Sequence, residues 1–176
     1  RVSAAYVVFG GSSPTDLSLD NLDSRGFRLF TSSRYIMYGP NVAGIGDINN
    51  DGLGDISIGT AATYGPAQPA PGRIWTVFGK TDTNEVDLED MGSEGTTITS
   101  TALDDGFASL IAKDSNSLLT SKITETGPNS TLNAGKIYGY PLNSLSTSLY
   151  DPDSGQAFTI LGATQSMYLG SIIADD

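Results

Sequence analysis

The chain has 176 residues with 21 glycines and a formal net charge of −11, which suits one turn-rich domain with a hydrophobic core. Its negative field repels phosphate backbones and anionic lipids and attracts divalent cations, so the charge argues against nucleic-acid partners and membrane-surface roles. With no Cys and no His, this sequence excludes disulfides, thiol nucleophiles, Cys/His zinc sites and catalytic arrangements that need an imidazole.

The N-terminal region begins at Arg1 and holds the first apolar patch at residues 4–9. This patch is too short for the hydrophobic region of a signal peptide, and no apolar run reaches the roughly 18 residues of a membrane-spanning helix. The acidity and the small number of lysines suit an exported or salt-adapted protein. We therefore expect a water-soluble, mature or excised piece of an extracellular or cell-surface polypeptide, without membrane insertion.

Three strand-like runs end in an aromatic residue followed by glycine, and they are spaced by roughly 60 to 70 residues, as in repeat proteins. The runs lie at residues 6–10, 74–79 and 137–139 and align on Phe9, Phe78 and Tyr138. An acidic turn and a second strand-like run follow each copy, with a glycine at similar spacing: Gly26, Gly95 and Gly155. A third run of small residues then leads into an aspartate, at Asp47, Asp114 and Asp176.

The apolar residues of these runs alternate with polar or small ones, as in residues 55–59 and 73–79. This is the two-residue period of β-strands. Clusters of Gly, Pro, Asn and Asp separate the runs, and no segment keeps a helical period. The sequence therefore predicts an all-β fold, and a repeat of about 65 residues with four antiparallel strands favours β-propeller blades over a sandwich.

The predicted repeats divide residues 1–176 into partial and complete units. The divisions are the end of a repeat at 1–30, repeats at about 31–99 and about 100–162, and the start of another at about 163–176. Closed propellers use about four to eight blades, so about two to three blades make an incomplete ring. We expect the missing sheets to come from a longer polypeptide or from partners at the open blade edges.

The sequence GDINNDGLGD, residues 46–55, concentrates acidic and amide side chains around Gly52. Ca²⁺ takes about six to eight oxygen ligands, and a chain supplies them when such side chains alternate around a sharp turn. Gly52 is expected to take the turn conformation, which side chains disfavour. The predicted Ca²⁺ ligands are Asp47, Asn49, Asp51, the backbone carbonyl of Leu53, and Asp55.

The segment VAGIGDINNDGLGDISIGT and the following GRIWTVFGK resemble the FG-GAP repeat of integrin α-subunit propellers and of large bacterial surface proteins. Residues 26–80 also resemble the bacterial form of this repeat, and looser copies extend the likeness over most of the chain. The resemblance implies a β-propeller blade with a calcium loop between two of its strands. It also implies that the five residues named above are ligands, since they match ligand positions of the family.

Three other interpretations of this loop are an EF-hand, a dockerin loop and a hairpin turn without metal. The loop satisfies the first half of the EF-hand pattern, D-x-N-x-D-G, but the twelfth position counted from Asp47 is Ile58 and not the Glu that the pattern requires. The same residue disfavours a dockerin loop. An Asn-Asp-Gly hairpin turn, whose side chains bond their own backbone and bind no metal, stays open.

The further copies of the loop carry fewer ligand-type groups. At the second copy only Asp114 and Asn116 remain, so no metal is expected there. Asp176 would open a third loop at the end of the sequence.

Other acidic and aromatic residues have plainer interpretations. Two acidic pairs, Asp104 with Asp105 and Asp151 with Asp153, could supply the carboxylates of a glycoside hydrolase. No sequence signature supports this role, and residues of solvated turns are the expected interpretation. Aromatic residues at strand positions are expected to pack between blades, with a carbohydrate platform as the lesser alternative: Tyr6, Phe9, Trp75, Phe78 and Tyr138.

These features predict a calcium-stabilised extracellular or cell-surface β-propeller segment that serves adhesion or protein–protein assembly and has no enzyme activity. The expected partner is another protein or further copies of this chain, joined through blade edges, with carbohydrate as an alternative ligand. Two other functions stay open: an accessory domain of a secreted enzyme, such as a phospholipase or a polysaccharide-degrading protein, and a structural repeat of a surface filament.

Overall fold

The structure, a computed structural model, describes residues 4–11, 16–32, 40–60, 70–103, 106–124, 134–149, 151–154 and 158–163. Within these ranges the regular elements are β-strands and two short 3₁₀ turns, and there is no α-helix. The strands are β1 (Ala4–Val8), β2 (Gly26–Phe30), β3 (Asn41–Gly46), β4 (Asp55–Thr60), β5 (Pro71–Val77), β6 (Val86–Asp87), β7 (Gly95–Leu103), β8 (Phe107–Lys113), β9 (Ser117–Lys122), β10 (Lys136–Pro141) and β11 (Phe158–Leu161). The predicted all-β class is confirmed.

The described strands form three sheets. The first sheet has the order β1-β2-β6, the second β3-β4-β5-β7, and the third β8-β9-β10-β11. All pairings in the second and third sheets are antiparallel, so the expected four-stranded antiparallel unit is present twice. The first sheet has three strands, and β6 joins β2 in parallel. No described helix is long and apolar enough to cross a membrane.

The same strand pairing recurs in each sheet, because β1, β5 and β10 each pair antiparallel with the strand that follows the acidic turn. The backbone register places Val8 opposite Gly26 and Val77 opposite Gly95. The amide of Phe9 donates to the Arg25 carbonyl at 2.7 Å, and the amide of Phe78 donates to the Glu94 carbonyl at 2.9 Å. The first two sheets therefore share one geometry at the end of the aromatic-glycine run.

The third copy of this run was aligned wrongly from the sequence. Ile74 pairs with Ile98 in the second sheet, and Ile137 pairs with Ile160 in the third. Tyr138 is thus the structural equivalent of Trp75, which follows Ile74, and not of Phe78. The alignment matched aromatic-glycine dipeptides, whereas strand register is set by the pairing partners.

The recurring glycines of the second strand are explained by close backbone approach. A Cβ atom at Gly26 would lie 2.0 Å from the Val7 carbonyl oxygen, and one at Gly95 would lie 2.2 Å from the Thr76 carbonyl oxygen. No side chain fits at such distances, so glycine is required where this strand meets its partner. Gly155 lies outside the described residues.

Two hydrophobic cores lie between successive sheets. Between the first and second sheets, Phe27 and Leu29 pack with the buried residues Ile58, Trp75 and Val77. Between the second and third sheets the buried residues are Ile45, Ile74, Ile98, Phe107, Ala108, Ile111, Leu118, Tyr138, Tyr140 and Leu145. The expectation that strand aromatics pack between sheets is confirmed for Trp75 and Tyr138, which are fully buried. Neither can serve as a carbohydrate platform.

Tyr140 lies in the core between the second and third sheets, and its hydroxyl donates to the Pro152 carbonyl oxygen at 2.5 Å. Burial, with smaller effects of Tyr138, Asp153 and Asp151, raises the pKa of Tyr140 far above its ordinary value of 10.0. The hydroxyl therefore stays protonated in the folded chain at pH values where it ionises in the unfolded chain.

This pKa difference predicts a loss of stability at high pH. The contribution of Tyr140 is fully present below about pH 10 and falls as the pH rises above it, because the unfolded state then binds fewer protons than the folded state. In denaturant unfolding, the free energy of unfolding of the wild type should fall more steeply above about pH 10 than that of Tyr140→Phe. Equal pH slopes for the two proteins would contradict the burial of this hydroxyl.

Candidate metal site

The acidic loop of residues 47–54 joins the antiparallel strands β3 and β4 at one end of the second sheet. The strand pairing has an irregularity between Gly44 and Gly46, just before the loop, and Gly46 has a φ of 77°. Such an irregularity bends the strand and ends its regular ladder. The loop therefore projects from a hairpin made of the edge strand β3 and the mostly buried strand β4.

The first three predicted ligands turn their side chains towards the loop backbone. The two carboxylate oxygens of Asp47 accept from the amides of Asp51 at 3.1 Å and Gly52 at 2.8 Å. The side-chain oxygen of Asn49 also accepts from the Asp51 amide, at 3.1 Å, and the side-chain nitrogen of Asn49 donates to the Asp51 carboxylate at 2.8 Å. The other Asp51 oxygen accepts from the Leu53 amide at 2.8 Å. These side chains converge on one turn.

The turn is made by two residues with left-handed backbone conformations. Gly52 has a φ of 88°, as expected from its place in the sequence, and Asn50 has a φ of 63°. Asparagine is among the few non-glycine residues that tolerate this region. A side chain at Gly52 would meet no neighbour, so the requirement for glycine is conformational and not steric.

Asp55, the last predicted ligand, is placed differently from the others. It is only 1% exposed, and its two carboxylate oxygens accept from the amides of Ile48 and Gly79, both at 2.7 Å. A Cβ atom at Gly79 would lie 2.6 Å from the Leu53 Cβ atom. Asp55 therefore holds both ends of the loop against the segment that follows β5.

Gly79 is a residue of this site that the sequence analysis did not assign. The aromatic-glycine pair at residues 78–79 indicates the end of a strand, and nothing in its pattern indicates a contact with the acidic loop. Next to it, Lys80 forms ion pairs with Glu94 at 2.8 Å and Asp82 at 3.1 Å and lies over the Phe27 ring, 5.1 Å from its centroid. Burial lowers the pKa of Lys80, but the two carboxylates outweigh it and raise the pKa above its usual value.

The donor set was tested against the needs of Ca²⁺. Within the described residues, no three acidic side chains lie close enough to hold an ion as they stand. The chemistry of the donors nevertheless fits, because each carboxylate oxygen of Asp47 and Asp51 accepts one hydrogen bond and keeps a second lone pair. None of the ion pairs formed among the described residues involves a loop carboxylate. The loop thus carries acidic charge that no basic side chain of that part of the chain neutralises.

Solvent reaches the loop through a neighbouring groove. The groove has a volume of about 380 Å³ and lies between the loop and the third sheet, lined by Asp47, Asn50, Lys113, Leu142 and Asn143 among others. Asp47 and Asp51 are themselves exposed. A hydrated cation can approach these two carboxylates without opening the core.

The second loop, between β8 and β9, is much shorter. One Asp114 carboxylate oxygen accepts from the amides of Asn116 at 2.8 Å and Ser117 at 2.7 Å, and the Asp114 amide donates to the Ser117 carbonyl at 3.0 Å. Its oxygen caps a tight hairpin, and the loop contains no second carboxylate. Asp176 lies outside the described residues.

Of the two other acidic pairs, Asp151 and Asp153 lie within the described residues. An Asp151 oxygen accepts from the Asp153 amide at 2.9 Å, and Asp153 forms an ion pair with Lys136. These are the contacts of a solvated turn. Asp104 and Asp105 lie outside the described residues.

Comparisons with protein-family models, with curated proteins and with solved structures find no match for this chain. The likeness to FG-GAP repeats therefore rests on the residues quoted from the sequence.

Proposed function

We propose that this chain is a calcium-stabilised, extracellular or cell-surface β-propeller segment of the FG-GAP type that serves adhesion or protein–protein assembly and has no catalytic role. The observation that carries the proposal is the loop of residues 47–55. Its acidic and amide side chains converge on a turn with Gly52 at positive φ, at the end of the hairpin of β3 and β4.

In this proposal Asp47, Asn49 and Asp51 hold Ca²⁺ through side-chain oxygens, with the Leu53 carbonyl and Asp55 completing the ligand set. The ion supplies positive charge to a loop in which the described basic residues make no ion pair. Binding to the folded state alone stabilises it, by about 2.7 kcal/mol when the free ion is at 100 times its Kd.

The exposure of the loop supports a weak, extracellular type of site. Asp47 and Asp51 are exposed, and their oxygens already bond backbone amides, so an ion competes with water and with those amides. Extracellular calcium modules bind with Kd values on the order of 10⁻⁴ to 10⁻³ M. Such a site is filled where calcium is millimolar.

Exposed apolar side chains on the described surface favour assembly over catalysis. Large apolar side chains are exposed on strands at both ends of the sheet array, at Tyr6, Val8, Phe158, Ile160 and Leu161. Exposed apolar clusters mark interaction sites. The same observation keeps the surface-filament repeat as a second candidate, since a filament subunit needs a contact at each end.

Calcium binding is tested by calorimetric titration of the metal-stripped chain with CaCl₂. The wild type should bind one ion, and Asp51→Asn should bind at least about tenfold more weakly, equivalent to about 1.4 kcal/mol. Asparagine keeps an oxygen that accepts from the Leu53 amide, so this variant removes the charge and the exposed hydrogen bond from the Asn49 side chain while keeping the backbone contact of the turn.

The matched control is Asp114→Asn in the second loop, which makes the same chemical change in an acidic hairpin turn. Its calcium titration should equal that of the wild type. Binding heat that is absent from the wild type, or that survives unchanged in Asp51→Asn, would contradict the proposed site.

A further inference from the structure

Equivalent positions of the three sheets differ sharply in exposure on one side of the array. Leu29, Ile98 and Ile160 occupy equivalent positions of β2, β7 and β11. Their pairing partners, at equivalent positions of β1, β5 and β10, are Ala5, Ile74 and Ile137. Leu29 is 1% exposed and Ile98 is 3% exposed, whereas Ile160 is 49% exposed. The position is therefore buried wherever another described sheet follows in the chain and open on the third sheet.

On the opposite side of the sheets, the first sheet carries the exposed position and the second and third sheets carry the buried ones. By their pairing registers with β2, β7 and β11, Tyr6, Trp75 and Tyr138 are equivalent. Trp75 and Tyr138 are fully buried, whereas Tyr6, on the first sheet, is 38% exposed. This position is buried wherever another described sheet precedes it and open on the first sheet.

The two internal cores follow one packing rule. The Leu29 side of the first sheet packs on the Trp75 side of the second. The Ile98 side of the second sheet packs on the Tyr138 side of the third. In each core, the side of one sheet that carries Leu29 or Ile98 packs on the side of the next sheet that carries Trp75 or Tyr138.

The two exposed sides carry the two kinds of surface that pack together in each internal core. We call the exposed pair Phe158 and Ile160 the Ile160 face, and the exposed pair Tyr6 and Val8 the Tyr6 face. Phe158 and Ile160 lie on the same side of β11, since they alternate along the strand. Arg28 lies directly opposite Tyr6 on the central strand β2 of the Tyr6 face, and its charge is paired with Glu85 at 3.2 Å.

We propose that the Ile160 face of one copy of this chain packs on the Tyr6 face of the next copy, continuing the sheet order across the molecules. The contact joins two different surfaces, so it is heterologous and generates rings if it closes and open filaments if it does not. It buries sheet faces, in contrast to the pairing of blade edges expected from the sequence. The inference deepens the assembly part of the proposed function and does not depend on the calcium loop.

The contact is tested by sedimentation velocity of the calcium-loaded chain from about 1 to about 100 µM, a range that covers typical weak self-association. The wild type should show weight-average mass rising with concentration. Ile160→Glu and Val8→Glu, which each place a charge on one face, should both remain monomeric over this range. Leu161→Glu is the matched control, because Leu161 is also exposed but lies on the opposite side of β11, and it should associate like the wild type.

Mixing the two charged variants gives the decisive result. Ile160→Glu retains an intact Tyr6 face and Val8→Glu retains an intact Ile160 face, so an equimolar mixture should form one-to-one dimers and nothing larger. Dimer formation also shows that both variants are folded. A wild type that stays monomeric throughout, a mixture without dimers, or equal disruption by Leu161→Glu would overturn the proposal. Calcium titration of Ile160→Glu is expected to match that of the wild type. This measurement distinguishes failure of the proposed contact between copies from failure of the metal site.

Discussion

Replacing Asp55 with alanine should lower the free energy of unfolding by about 3–5 kcal/mol even without calcium. The buried carboxylate accepts from the amides of Ile48 and Gly79, both at 2.7 Å. Hydrogen bonds to a charged group contribute about 1.5–3 kcal/mol each, and their removal leaves two amides without this partner. One amide lies in the loop and the other follows β5, so the change loosens both ends of the contact.

Unfolding of Asp55→Ala can be followed in denaturant with EDTA present, using the fluorescence of Trp75, the single tryptophan of the chain. Asp51→Ala is the comparison, because Asp51 is an exposed loop residue whose carboxylate caps the Leu53 amide. It should cost only about 0.5–2 kcal/mol. A cost for Asp55→Ala no larger than that for Asp51→Ala would contradict the structural role given to Asp55.

Replacing Trp75 with alanine should cost a similar amount, about 3–5 kcal/mol. Trp75 is fully buried in the core between the first and second sheets, where it packs with Phe27 and Leu29. Removing the indole leaves a cavity at the junction of two sheets, and rigid strands on both sides limit how far the core can collapse.

The control for this prediction is Trp75→Phe. The indole nitrogen of Trp75 is buried and has no hydrogen-bond partner among the described residues, so phenylalanine forfeits volume and no hydrogen bond. We expect a cost below about 2 kcal/mol, measured for both variants by far-UV circular dichroism in denaturant. Equal costs for alanine and phenylalanine would show that the indole nitrogen, and not the volume of the ring, stabilises this position.

The strands were the most predictable part of the fold. In β4 and β5 the alternation of apolar and polar residues and the flanking glycines are local signals, and they identified these strands without knowledge of their partners. The register of the third copy was not predictable in this way. Aromatic residues stand at Tyr138 and Tyr140, and only the pairing of β10 with β9 and β11 decides which of them corresponds to Trp75.

Non-local pairing explains what else the sequence did not reveal. Strand β6 has only two residues and adds to β2 in parallel, so neither its length nor its spacing gives a periodic signal. The contact of Asp55 with Gly79 is of the same kind, since it forms only when β5 has paired with β4.

The acidic loop was predictable in its spacing and only partly in its geometry. The positive φ of Gly52 follows from its place after Asp51, where only glycine turns without strain. The spacing predicts the same ligand role for Asp47 and Asp55, but Asp47 is exposed and Asp55 is buried. Burial depends on the residues that cover the loop, which lie elsewhere in the chain.

The most direct test of the calcium site is the melting temperature of the wild type and of Asp51→Asn, each in EDTA and in millimolar CaCl₂, with MgCl₂ as the ion control. If millimolar calcium is at about ten times its Kd, the wild type should melt roughly 3–6 °C higher than in EDTA. Asp51→Asn should show a much smaller increase, and Mg²⁺ should have little effect because it prefers a smaller, more rigid site. Equal melting temperatures of the wild type in EDTA and in calcium would contradict the account and make residues 46–55 a polar turn.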